Sequence, residues 1–384
     1  MKRFLVVCAA AMLCCSLARG QEAEDSGRGA GLSIIPRVDI GLLYDLEDKS
    51  ASVNFGNTSL YTIFDGNILE NLSFSLVNHW VASDWAYPTL KEGIGEPTAA
   101  LYHFNMFGKG VNANNFVDNA YICWTPLDFE FTLGKVTTLV GGFELDDYDF
   151  DVNPLMASDF WSAFTCYQWG VGLAYNLPRE IGKISFQATT NAVNRSISLG
   201  FGWDGTYGPY SMKWSALVGP SYFKHLYPDA PWNVIVTLGN KLELGNFTFT
   251  ADFTNACGDP NLIGDGNYLY SPSVYGNTIV SSLIYNIEDV WEVGIKGAWN
   301  KADKNHPYGY IDKNHTPYIP DSIDIPFSDL PSLTAGAWAS WYPLPDDQSL
   351  RVQASAGVNS YRKNGSGYVF ALLGVTYNFS LKLW

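Results

Sequence analysis

The stretch Asn119–Trp161, NAYICWTPLDFEFTLGKVTTLVGGFELDDYDFDVNPLMASDFW, decides how the rest of the chain is read. It opens with two alternating runs joined by a tight turn and continues into a long acidic excursion. In the first run Ala120, Ile122 and Trp124 share one parity, against Asn119, Tyr121 and Cys123. Thr125-Pro126-Leu127-Asp128 makes the turn, with a proline whose ring pre-sets φ. In the second run Phe129, Phe131 and Leu133 oppose Glu130, Thr132 and Gly134. Alternation with period two predicts strands with one apolar and one polar face. A single hairpin of this kind fits any half-buried antiparallel sheet. The same pattern, however, recurs along nearly the whole chain with almost nothing helical between.

Working outward, Met1–Gly20 reads as a secretory signal peptide. Lys2 and Arg3 precede an apolar core over Phe4–Leu17, and Ala18-Arg19-Gly20 supplies small residues for cleavage. Met12-Leu13 before Cys14 are too large for a lipoprotein signal. Residues 21–33 read as a flexible, acidic periplasmic leader, and 34–384 as the folded unit. Removing residues 1–20 takes away three of the 23 basic residues and none of the 38 acidic ones. Such acidity argues against a nucleic-acid partner. Of the six cysteines, Cys123, Cys166 and Cys257 remain, too sparse and odd a set for a disulfide framework.

No second apolar run reaches the roughly 18 residues of a membrane helix. The strands are nevertheless long, one face large and apolar, the other Gly, Ser, Thr, Asn, Gln and charge. In FTFTADFTN, Phe247, Phe249, Ala251 and Phe253 oppose Thr248, Thr250, Asp252 and Thr254. A barrel in lipid needs this arrangement, apolar outside and polar within, with every backbone group paired around a closed sheet. The pattern predicts an all-β, transmembrane, antiparallel up-and-down barrel of about 16 strands, the first over Arg37–Asp45 and the last over Tyr368–Phe379. Connections after even-numbered strands are short, as at Asp65–Asn71, Thr125–Asp128, Leu177–Gly182, Leu244–Asn246, Ile287–Val290 and Pro343–Gln348. The four longest, Ser83–Asn112, Thr137–Thr165, Ala256–Tyr275 and Lys301–Pro331, all follow odd-numbered ones. Short periplasmic turns and long outer loops are what an outer-membrane barrel shows. A soluble sandwich has no reason to sort its loops by strand parity.

Two stretches carry a family resemblance. Gly374–Phe379, GVTYNF, resembles the last-strand signal of outer-membrane proteins, although Trp384 is out of parity with Val375, Tyr377 and Phe379, so either a bulge intervenes or SLKLW is a short extension. Gly134-Lys135 closing a strand, followed by Gly142-Phe143-Glu144 opening a long loop, resembles single-chain porins of the phosphate- and carbohydrate-selective sort. The resemblance implies residence in the bacterial outer membrane among its lipids, passage of small hydrophilic solutes or ions, no cofactor and a possible homotrimer.

By parity, Arg37, Lys183, Lys213, Lys241, Lys296 and Arg351 face the lumen, with Asp39, Glu130, Glu243, Asp252 and Glu292. The excess negative charge sits in Glu144, Asp146, Asp147, Asp149, Asp151 and Asp159. Folded inward, this loop would face the basic wall as a charged constriction. Folded outward, its acids would meet divalent cations at the cell surface. Asp147-x-Asp149-x-Asp151 imitates the start of a calcium loop but lacks its sixth-position Gly and twelfth-position Glu, so no metal site is expected. Lys135 shares the lipid-facing parity of Phe131 and Leu133, which calls for a bulge at Gly134 or a position above the bilayer. Two other function classes remain: a barrel whose long loops bind a partner, and a barrel hydrolase using His79 with Ser75 and Ser83.

Overall fold

In the computed structural model the described residues are 29–46, 49–54, 58–81, 117–144, 154–158, 160–161, 167–190, 197–220, 232–257, 276–302, 310–311, 317–318, 332–344, 348–361 and 367–383. They form a closed antiparallel barrel of sixteen strands in up-and-down order. The strands are β1 (Gly29–Asp45), β2 (Ala51–Asn54 continuing as Ser59–Leu69), β3 (Leu72–Val81), β4 (Val117–Trp124), β5 (Phe129–Thr137) and β6 (Tyr167–Asn176). Then follow β7 (Gly182–Thr190), β8 (Ile197–Tyr207), β9 (Tyr210–Pro220), β10 (Trp232–Leu244) and β11 (Phe247–Cys257). The last five are β12 (Gly276–Ile287), β13 (Trp291–Ala302), β14 (Ser332–Trp341), β15 (Leu350–Tyr361) and β16 (Gly367–Tyr377 continuing as Phe379–Lys382). A minimal hairpin, Tyr310–Ile311 with Pro317–Tyr318, lies between β13 and β14. No helix among the described residues is long and apolar enough to cross a membrane.

Closure is made by β1 on β16, from Asp45↔Tyr368 through Arg37↔Thr376 to Gly31↔Lys382. The strand begins at Gly29, eight residues before the expected Arg37, so residues 29–33 of the expected leader are hydrogen-bonded into the sheet. At the other end the register runs without slip across Asn378. Val375, Tyr377, Phe379, Leu381 and Leu383 stay exposed on one parity, so no bulge intervenes there; Trp384 lies outside the described residues.

The two faces of the sheet follow the alternation. Along β1, Val38, Ile40, Leu42 and Tyr44 are exposed while Arg37, Asp39 and Leu43 are buried. On β11, Phe247, Phe249 and Phe253 are exposed while Thr248, Thr250, Asp252 and Thr254 are buried. In a soluble protein this exposed apolar face would be costly, whereas hydrocarbon makes it the favourable side. Aromatic rings pair across strands beside the short turns: Phe64–Phe74, Trp124–Phe131, Phe129–Tyr175, Phe247–Tyr285 and Trp291–Trp341, with centroids 4.5–5.9 Å apart. Trp80, Trp169 and Trp232 are exposed toward the opposite rim. Amphipathic rings at both levels are the interfacial girdles of a membrane barrel.

The turns are built to match. At Ile287–Val290 both central residues, Glu288 and Asp289, take positive φ (49° and 56°), and the Val290 N–H donates to Ile287 O at 2.9 Å. Positive φ at both centres twists a two-residue hairpin with its strands. Inside, the wall is polar and bonded across strands. Thr237 meets Thr254 at 3.1 Å and Thr250 meets Ser282 at 2.6 Å; Asn300 donates to Ser332 and Asn359 to Thr334, each at 3.0 Å.

Candidate functional site

The chain leaving β5 turns into the barrel. The cause is local: Gly134 takes φ +141°, which breaks the alternation, and Lys135 and Val136 are then both buried. Lys135 donates from Nζ to Val117 O at 2.5 Å, which removes its charge from the lipid-facing parity that the sequence assigned it. The break is in backbone conformation only, since the β4–β5 register does not slip.

From there the segment follows the inner wall, strand by strand. Gln187 of β7 holds its root, accepting from the Leu139 N–H and donating to Thr137 O, both at 2.8 Å. Leu139 lies over Gly200 and Gly202 of β8, where an added Cβ would sit 3.1 and 3.0 Å from its side chain. On β9 the Gly141 N–H donates to Ser215 Oγ at 2.6 Å and the Gly142 N–H to Lys213 O at 3.1 Å. Gly142 (φ +101°) passes so close to β10 that a Cβ on Gly239 would come within 2.5 Å of its Cα. Glycine is required at both positions, one for conformation and one for approach.

The elbow at Phe143-Glu144 is fixed by charge. Asp252 of β11 accepts from both N–H groups through one oxygen, at 2.7 and 2.6 Å. The buried Phe143 ring lies under two ammonium groups, with Lys241 Nζ 5.0 Å and Lys213 Nζ 5.8 Å from its centroid. The ring quadrupole attracts an ammonium group at such distances. Glu144, 3% exposed, pairs with Lys296 of β13 at 2.6 Å and accepts from Ser158 N and Oγ, both at 2.8 Å. Lys296 also donates to Met156 O at 2.7 Å. Met156 packs against Gly336 of β14, where an added Cβ would meet its sulfur. Leu155, Met156, Ala157, Phe160 and Trp161 complete an apolar cluster with inward-facing Leu43, Trp338, Phe370 and Leu372.

The sequence-predicted wall residues all lie on the inward face. Arg37, Lys213, Lys241, Asp252 and Lys296 are buried, and Lys183 and Arg351 are partly so. Lys183 faces Glu130 at 3.5 Å, and Arg351 faces Glu292 at 3.5 Å while also bonding Ser340. Of the proposed constriction residues, Glu144 is brought against the wall itself. Asp146, Asp147, Asp149 and Asp151 lie outside the described residues, as does Asp159. The lumen holds further charges that the sequence reading passed over. Asp204 stands in register between Lys183 and Lys213. Its signal was one more step of the alternation Gly200, Gly202, Asp204. Asp118 is the extra residue of a bulge opposite Val77 and Asn78, a position no periodicity reveals.

His79 and Ser75 do share the inward face. His79 is fully buried, stacked on Tyr61 at 3.7 Å with Nδ1 3.5 Å from Asp118 Oδ2. That packing holds the imidazole within the wall; Ser83 lies outside the described residues. Among the described residues no group of three or more His, Cys, Asp or Glu forms a metal site.

No protein-family model matches the sequence, and no curated protein is similar to it. Solved structures do resemble the fold. OmpF of Salmonella typhi, in complex with daunomycin, superposes with a TM-score of 0.58 at 12% identity, over 94% of this chain and 100% of that one. The anion-selective porin of Comamonas acidovorans gives 0.56 at 12% identity, over 91% and 100%. A trimer form of OmpT, an outer membrane protein of Vibrio cholerae, gives 0.50 at 11%, over 91% and 100%. At such identities the likeness is one of architecture, and it spans the chain. The protein has the sixteen-stranded, porin-like fold of outer-membrane β-barrels.

Proposed function

We propose that the protein is a bacterial outer-membrane channel for passive diffusion of small hydrophilic solutes and ions, exported by the signal at residues 1–20. The observation that carries this is the path of the segment after β5. It is bonded successively to β7, β9, β11 and β13 inside the barrel, which supports a role in narrowing the lumen. A loop that recognised partners at the cell surface would have no use for these internal attachments. The four aspartates between Glu144 and Ser158 belong to that segment. Because the charges of the wall nearly balance, these aspartates make cation preference the expected selectivity. A homotrimer is the assembly we infer, by likeness to porins, and cross-linking in intact membranes tests it.

The deciding measurement is conductance across a planar bilayer with a salt gradient. Stepwise currents and a reversal potential on the cation side are expected. Changing Asp146, Asp147, Asp149 and Asp151 together to Asn should move that potential toward zero, with the shift fading at high salt as the Debye length contracts below about 8 Å. Absence of any current would overturn the channel reading in favour of a surface-binding barrel. An unshifted potential in the fourfold variant would remove the aspartates from the site.

A further inference from the structure

Parity put Lys296 on the wall, and an inward-folded loop would set Glu144 opposite it as a charged constriction; the geometry gives them a different task. Both are buried to within a few per cent, 2.6 Å apart, and their side chains bond to each other and to the returning segment. Glu144 stands where the segment enters the acidic stretch. Ser158 and Met156 stand where it returns. Ser158 gives its N–H to one carboxylate oxygen of Glu144 and its hydroxyl to the other, and Lys296 bonds Glu144 and Met156 O together. The Ser158 hydroxyl oxygen in turn accepts from the Trp161 N–H at 3.3 Å, which extends the tie into the aromatic anchor.

We propose that Glu144, Ser158 and Lys296 form a clasp. It ties Glu144 to Met156 and Ser158 and rivets all three to β13 at mid-barrel. These are positioning residues: they set where the aspartates stand and take no part in selecting the ion. Paired and buried, their charges cancel, so a passing solute feels neither. The inference rests on the channel reading for its consequence, and on geometry alone for its existence.

The two roles predict opposite signs. If Glu144 and Lys296 were pore-lining charges, Glu144→Gln and Lys296→Met would move the reversal potential in opposite directions with steady currents. As a clasp, both variants should act alike, replacing a steady open level by flicker among sub-levels. Ser158→Ala, which removes one bond and no charge, should flicker less but in the same way. A second readout does not need current. In a background with Cys123, Cys166 and Cys257 changed to Ala, buried Ala157→Cys should react with a small hydrophilic thiol reagent about tenfold faster once Lys296→Met is added, the equivalent of one charge-assisted bond. Ser158→Ala serves in its place if Lys296→Met does not fold. Opposite-signed shifts, or unchanged labelling in folded barrels, would overturn the clasp. Accelerated labelling in a barrel that carries no current would uphold the clasp and overturn the channel.

Discussion

At the scale of single residues, the inward path of the segment depends on a few polar atoms with no local substitute. Asp252 is one, since a single carboxylate oxygen accepts from Phe143 and Glu144 at 2.7 and 2.6 Å. Asp252→Ala would strand two buried N–H groups, a loss of about 1–3 kcal/mol for each unsatisfied donor. Asp252→Asn keeps a carbonyl acceptor and should lose less. Urea unfolding from lipid vesicles should rank the variants in that order, and equal midpoints would show that the elbow contributes nothing to stability. Residue chemistry of this kind was only half legible in the sequence. The inward parity of Asp252, Lys241 and Lys296 followed from alternation. Their partners did not, because the contacts join positions about a hundred or more residues apart and no local pattern encodes such pairs.

At the scale of elements, the wall and the segment are fitted to each other by missing side chains. Gly200 and Gly202 of β8, Gly239 of β10 and Gly336 of β14 leave separate gaps on the inner face, into which Leu139, Gly142 and Met156 settle. Read from sequence, these glycines were simply small lumen residues; only the path of the segment shows what they make room for. Gly239→Val should lift the segment from β10 while leaving the β9–β10–β11 ladders intact. Hydrogen exchange at the Gly141 to Glu144 amides is expected to rise roughly tenfold or more, a modest part of the 1–3 kcal/mol typical of an overpacked site. Protection in β10 should hold. If both lose protection together, the segment is part of the barrel's cooperative unit rather than a separately attached element. Strand boundaries were less legible than strands. β1 starts at Gly29 rather than Arg37, because small residues and the consecutive Ile34 and Ile35 blur the contrast between its two faces there.

At the scale of the whole molecule, the barrel is inside out relative to a soluble protein, and the opening hairpin tests this directly. Leu133, 57% exposed, and Thr132, on the inward face, are neighbours on β5. Leu133→Arg puts a cation in mid-bilayer at a cost of about 2–4 kcal/mol, whereas Thr132→Arg points it into the lumen. Folding yield into vesicles, read from the heat-modifiable gel mobility of the closed barrel, should fall for the first and hold for the second. Equal yields would mean that the faces are reversed. This inversion was the most legible property of all, since loop length sorted by strand parity and apolar alternation reported it independently.

The seam between β1 and β16 has a consequence for how the molecule comes into being. Ser33 and Ser380 meet there at 3.0 Å across 347 positions of chain, whereas every other junction of the barrel joins sequence neighbours. Pairings between neighbours can zip in turn, each closing a modest loop. The seam must wait until both ends of the chain have been brought together, and slow, distant pairings of this kind dominate assembly time. Until it closes, β1 and β16 are two open edges, ready to pair with any other strand they meet. Fidelity of assembly is therefore decided at this one junction, where the continuous register from Asp45 to Gly31 leaves the two edges a single way to recognise each other.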